Sequence, residues 1–196
     1  TNAFIEAIYK WTRKNDALMV FDEVVTYRVN YAGAQESYTC KPDLTAMGKM
    51  IGGGFPIGAL AGKSEIMEVL DPRGKILRHP HSGTFSANPI STTAGRVAME
   101  LFDEEAVLNL NTLTETAIHQ IEESIKIADV PISITGAGSM FRLHLQEKKP
   151  TCYREAYHTD EKKSIIKELL DYLFLEEEII MINTCACMFA TSMTQK

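Results

Sequence analysis

The chain has 196 residues, 45% of them hydrophobic, and a formal net charge of −6. That length is enough for one full domain or two small ones with a real core. An acidic balance with no basic run argues against a nucleic-acid surface, which needs clustered Lys and Arg. The longest weakly polar stretch, Met50 to Gly62, is glycine-rich and far short of the ~20 apolar residues that span a bilayer, so no membrane segment is expected. No charged n-region or apolar h-region opens the chain; Thr1-Asn2 runs straight into a helical pattern.

Asn2 is placed to cap a first helix with Phe4, Ile5, Ile8 and Trp11 on one face. Residues 17–21 form a continuous apolar run, the pattern of a strand buried on both faces of a parallel sheet. Asp22-Glu23 follows directly, at the strand end where open α/β sheets place ligands. Residues 43–49 read as another short strand and its exit. Gly52-Gly53-Gly54-Phe55-Pro56 is a turn, and residues 57–61 a further strand. Ser64 is expected to cap a short helix over residues 65–70, stopped by Asp71-Pro72. Asn88-Pro89 opens a longer helix to about Leu101. From about Glu104 a long amphipathic helix follows, marked by Val107, Leu110, Leu113, Ile118, Ile121 and Ile125. Beyond it the pattern predicts a strand at residues 132–135, a turn at Gly136-Ala137-Gly138, a strand at 140–145, a polar loop at 148–162, a helix over 161–174 and a strand at 178–182. The expected organisation is therefore α/β, with a first domain over residues 1–104 and a small α+β domain over 105–196.

The chemistry-bearing residues admit bland readings when taken singly. A carboxylate pair after a strand is often a cap or a salt-bridge partner, and Lys49 after a glycine is often a solvated loop residue. Gly62-Lys63-Ser64 has the context of a phosphate loop, but the motif needs glycine where Ile57 stands, and a nucleotide site is not expected. Cys40, Cys152, Cys185 and Cys187 fit no zinc spacing; they read as reduced, mostly buried thiols in a cytoplasmic protein. His79 and His81 lack a third ligand, so no metal is expected. Arg28 and Arg142 could each grip a carboxylate bidentately or form a surface ion pair.

Taken together, three motifs change the reading. Val20-Phe21-Asp22-Glu23-Val24, the run Pro42 to Ala59 around Lys49, and His81-Ser82-Gly83-Thr84-Phe85-Ser86-Ala87-Asn88-Pro89 occur in that order. They resemble the class III aminotransferases, in the branch holding glutamate-1-semialdehyde aminomutase and the β-amino-acid aminotransferases. The resemblance is strong to about residue 105 and weaker beyond. It implies the fold-type I architecture, with residues 1–104 as the C-terminal portion of the large domain. It implies pyridoxal 5'-phosphate as cofactor, bound covalently by Lys49 as a Schiff base, with Asp22 beside the pyridine nitrogen, Val24 on the ring face and Thr84 on the phosphate. Lys49 and Asp22 are then the catalytic pair. Thr84 in this family usually serves the neighbouring subunit, which implies a homodimer. The implied reaction is amino transfer between an amino acid or amine and an oxo acid. The alternatives are aminomutase chemistry, which gives 5-aminolevulinate, and a noncatalytic fragment or subunit. Thr26-Tyr27-Arg28, where aminomutase-like sequences carry Thr-Gly-Phe-Arg, leans towards a transaminase. The family's front half, with its glycine-rich phosphate loop, has no counterpart here. The expectation is a fragment of a longer enzyme, or a half that needs a second chain.

Overall fold

A computed structural model describes residues 1–74, 76 and 78–194. The chain divides into two compact units, Thr1–Val107 and Leu108–Lys196, and the boundary falls inside a helix.

In the first unit, α1 spans Asn2–Lys14 with Thr1, not Asn2, at its N-cap. The Asn2 side chain instead accepts from Thr39 N–H at 3.4 Å. The expected apolar face of α1 is covered only in part: Phe4 and Trp11 are exposed, whereas Thr12 is buried. β1 covers Val20–Asp22, shorter than the apolar run that predicts it. Only Met19 of that run is buried; Leu18 and Val20 are about half exposed, at 53% and 52%. Burial on both faces is thus not found: Leu18, Val20 and Asp22, on one side, are exposed, while Met19 and Phe21, on the other, are buried and half-buried, and β1 is an outer strand of the three-stranded sheet β1-β2-β3.

β2 spans Leu44–Gly48 and β3 spans Gly58–Gly62. β1 pairs with β2 in parallel, Val20 opposite Leu44 and Asp22 opposite Ala46. β3 returns antiparallel through the glycine turn, Gly48 opposite Gly58 and Leu44 opposite Gly62. α2 covers Ser64–Met67 and tightens into a 3₁₀ turn, Glu68–Leu70. Ser64 lies inside this helix rather than capping it, since Lys63 holds the N-cap position. α3 spans Pro89–Leu101, and here the expected cap is present: Asn88 Oδ1 accepts from the N–H groups of Ile90 and Ser91 at 3.0 and 3.3 Å. α4 spans Glu104–Ala128.

The second unit carries an antiparallel sheet, β4-β5-β6, formed by Ser133–Ala137, Met140–His144 and Ala186–Met188. β4 runs through Gly136 and Ala137, so the turn sits one step later than expected, at Gly138-Ser139. The polar segment after β5 contains a short helix α5, Tyr153–Ala156, and then α6, Asp160–Leu175, whose cap Thr159 accepts from Lys162 N–H at 3.4 Å. Residues 178–182 are not a strand. β5 is paired instead with β6, Arg142 opposite Ala186, and Ile180 is left 83% exposed. Leu110, Ile134, Phe141, Ile166 and Cys185 form this unit's core, and Phe141 meets Phe189 edge to face.

Candidate active site

Parallel pairing decides where the expected site residues sit. β1 and β2 end on the same side of the sheet, so Asp22, at the last position of β1, and Lys49, the first residue after β2, reach one edge. Glu23 N–H donates to Ala46 O at 2.9 Å and holds the two ends together. Asp22 is exposed, and its Oδ1 accepts from Val24 N–H at 3.0 Å. That bond turns the chain at once, and the Val24 side chain lands on Gly48: a Cβ placed there would meet the two Val24 methyl groups at 3.5 and 3.7 Å. Asp22, Val24 and Lys49 are thereby brought to one locality.

Lys49 opens a 3₁₀ turn, Lys49–Gly52, with φ +52°. A side-chain-bearing residue in the left-handed region costs roughly 1–2 kcal/mol and persists only where its surroundings impose it. Here α3 imposes it. A Cβ on Gly95 would lie 2.2 Å from Ile51 O, and one on Gly53 would lie 2.5 Å from Ala94 O. Only glycine at both positions lets the helix backbone rest directly on the turn that presents Lys49.

Two buried carboxylates fix the sheet, one at each end of its strands, and neither was singled out by sequence reasoning. Glu23 is 1% exposed. It accepts from the Thr26 hydroxyl and from the N–H groups of Ala34 and Gln35 at 3.1 and 2.7 Å. The Asp-Glu pair after β1 therefore splits: Asp22 faces out, and Glu23 pins the loop that follows. Asp43, also 1% exposed, sits just before β2. It binds Arg13 of α1, the Lys63 ammonium at 2.7 Å and Met19 N–H at 2.7 Å. The Arg13 hydrogen bond, followed by those from Lys63 and Met19, holds the Asp43 carboxyl well below the usual carboxylate range, against the opposing effect of burial. Lys63, the lysine of the rejected phosphate-loop pattern, is thus a structural ion-pair partner. The signal in the sequence was an acid directly before a strand, which is too common to select it.

A cavity of about 470 Å³ runs along α1 and β1, lined by Ile5, Ile8, Met19, Phe21 and Asp22 among others. Thr84 lies in the exposed turn at residues 84–87 that leads into α3. Among the described residues no hydrogen bond or ion pair joins it to Asp22, Val24 or Lys49. Arg28 is half-buried in the 3₁₀ turn Thr26–Arg28, and burial lowers its pKa. The edge as a whole offers a carboxylate that can pair with a cationic ligand atom and a primary amine that can condense with a carbonyl.

The model of a family described as aminotransferase class-III matches residues 1–191. A glutamate-1-semialdehyde 2,1-aminomutase of Methanothermobacter thermautotrophicus is 38% identical over 160 residues, covering 81% of this chain and 37% of the relative. An omega-transaminase from Sphaerobacter thermophilus superposes with a TM-score of 0.94 at 36% identity, over 98% of this chain and 44% of that one. A beta-phenylalanine aminotransferase from Variovorax paradoxus gives 0.88 at 28% identity, over 99% and 44%. The α/β fold expected from the sequence is the fold these transaminases share, and the chain spans less than half the length of these three proteins, 37% to 44%.

Proposed function

The chain belongs to the class-III aminotransferase family, and we propose that it forms part of an enzyme moving an amino group between an amino acid or amine and an oxo acid, with pyridoxal phosphate held on Lys49. The observation that carries this reading is the parallel pairing of β1 and β2, which delivers Asp22 and Lys49 to one strand-end edge, where open α/β sheets take their ligands.

The donor set fits the cofactor. Asp22 has one oxygen committed to Val24 N–H and the other open to pair with a protonated ring nitrogen. Val24, laid over Gly48, gives an apolar surface for the ring to rest on and excludes water from that side. Lys49 Nζ is the covalent anchor and, once released, the group that moves a proton at the substrate Cα. Thr84 offers a hydroxyl to the phosphate. Its exposed position suits service to a neighbouring subunit, and a homodimer is the assembly proposed. A second chain or chain segment supplying the rest of the relatives' length is the other partner the reading allows. Pyridoxal phosphate, when bound, supplies the electron sink that bond breaking at Cα requires. No helix among the described residues is long and apolar enough to cross a membrane, and a cytoplasmic enzyme is the setting proposed.

A second reading is favoured by the names of the curated relatives: intramolecular amino transfer within glutamate 1-semialdehyde. An external oxo acid separates the two. Turnover of an amino donor that requires an added oxo acid supports the transaminase. Conversion of glutamate 1-semialdehyde with no added oxo acid supports the aminomutase. Absence of both, in a protein that contains this chain together with the remainder of the relatives' length, would reject the catalytic reading.

A further inference from the structure

The sheet of the second unit carries a cluster of polar side chains on one face. Its register sets Ser133 opposite His144 and Thr135 opposite Arg142. Register partners, and residues two apart on one strand, project to the same side, so these four side chains share a face. Thr135 Oγ1 and His144 Nε2 are 2.8 Å apart. Ser133 and His144 are 6% and 4% exposed, yet Ser133 Oγ and His144 Nδ1 have no hydrogen-bond partner. Buried polar atoms are nearly always satisfied, and each exception calls for a cause such as a bound water or ion. Here two exceptions fall on one cross-strand pair.

Cations gather at the same face. Arg142 Nε donates to Thr184 O at 2.9 Å, and its Nη2 lies 3.3 Å from His158 Nε2. A guanidinium only donates, so His158 Nε2 accepts, and the ring is neutral with its proton on Nδ1. Lys162 Nζ donates to Gln146 Oε1 at 3.0 Å. Every one of these partners is neutral: a carbonyl, an imidazole and an amide. Of the carboxylates near these groups in sequence, Glu155 is engaged by Thr151 and Lys148 and Asp160 by Lys163, while Glu147 and Glu161 are exposed. Burial first, and then the charges of Arg142 and Lys162, lower the pKa of both His144 and His158, so both cations act on both rings. The 16-residue helix α6 begins two residues after His158 and adds the positive end of its dipole.

We infer that Arg142, His158 and Lys162 form a binding site for a small oxyanion, a carboxylate or phosphate group, with the unpartnered polar atoms of Ser133 and His144 beneath it. A planar guanidinium beside an ammonium suits an oxyanion, and an anion would give these half-buried cations the counter-charge that their protein partners lack. The site is built wholly from residues of the second unit.

The test is a titration of the full 196-residue chain, with labelled histidines observed by NMR above the ordinary imidazole range. Inorganic phosphate and glutarate are added separately, against sodium chloride at matched ionic strength. Saturable movement of the His144 and His158 ring signals with either oxyanion, absent with chloride, supports the site. Which oxyanion saturates at lower concentration assigns its class. Arg142→Gln is expected to abolish the response. Lys162→Gln, a milder change should Arg142→Gln fail to fold, is expected to weaken it about tenfold, the scale of one charge-assisted hydrogen bond. Lys167→Gln, which removes a lysine paired with Asp171 further along α6, is expected to leave it unchanged. No saturable movement, an equal movement with chloride, or an undiminished response in folded Lys162→Gln would overturn the inference.

Discussion

The two sheets of this chain are held by opposite means. In the first unit, the largest fully buried side chains include the carboxylates of Glu23 and Asp43, while every residue of β3 is exposed. In the second unit, Ile134, Phe141 and Cys185 are buried, and a cluster of polar side chains lies on the opposite sheet face. The difference teaches what each region is built to fix. Apolar burial is non-directional and holds a sheet without specifying any one atom. Buried carboxylates are directional. Asp43 ties α1, the start of β1 and the end of β3 to a single point, and Glu23 ties the loop after β1. Glu23 acts at the strand ends that carry Asp22 and Lys49, and Asp43 fixes the opposite ends of the same strands.

The comparison can be broken at its most functional point first. In the whole enzyme, Lys49→Ala is expected to abolish amino transfer while leaving the far-ultraviolet circular dichroism unchanged. Asp22→Ala is expected to retain covalent capture at Lys49 but to lower turnover severely, because the ring nitrogen loses its counter-charge. Unchanged turnover in Asp22→Ala would remove that residue from the site.

The largest effect on stability is expected at the carboxylate tie. Asp43→Asn leaves Arg13 and Lys63 without their counter-ion. Breaking a buried pair costs roughly 3–5 kcal/mol, and because both partners are more than a third exposed the lower end, about 3 kcal/mol, is expected. Urea unfolding should show the loss in the first unit. The Asp43 carboxyl is held below its unfolded value, so its contribution is present above the ordinary carboxylate range and lost as pH falls through the folded pKa. Asp43→Asn should flatten that acid limb; an unchanged limb would show that another group governs it.

A smaller loss is expected where α3 meets the Lys49 turn. Gly95→Ala forces a methyl group against Ile51 O, and overpacking of this kind costs about 2 kcal/mol. The effect should appear both in denaturant midpoint and in reduced reactivity of Lys49. The smallest effect belongs to the second unit. His144 and His158 have lowered pKa values in the fold, so the unfolded chain binds protons more readily. Their contribution is full above the ordinary imidazole value and falls as pH drops below it. His144→Gln should remove part of that slope, read from urea midpoints across the imidazole range.

Local signals made much of this fold legible. β2 is flanked by turn residues, Asn88-Pro89 is a cap followed by proline at the first helical position, and α4 and α6 carry helical periodicity and open on acidic residues. Each of these features is written within a few consecutive residues. The failures share the converse property. The apolar runs at 17–21 and 178–182 carry strand-like composition, but burial and pairing depend on what lies beside them, and β5 takes Ala186–Met188 instead. The tie at Asp43 joins residues 30, 24 and 20 positions away, and no spacing rule connects them. The candidate residues Asp22, Val24 and Lys49 came from motif resemblance. Their gathering at one edge rests on parallel register and on glycine contacts that a one-dimensional pattern does not display.

The central claim, that this edge presents Lys49 to an aldehyde cofactor, is tested most directly by covalent trapping. The chain is incubated with pyridoxal phosphate, reduced with borohydride and mapped by peptide mass spectrometry. The account predicts a label on Lys49 in preference to every other lysine, and its loss in Lys49→Ala. Label spread evenly over surface lysines, or concentrated at one other than Lys49, would contradict it.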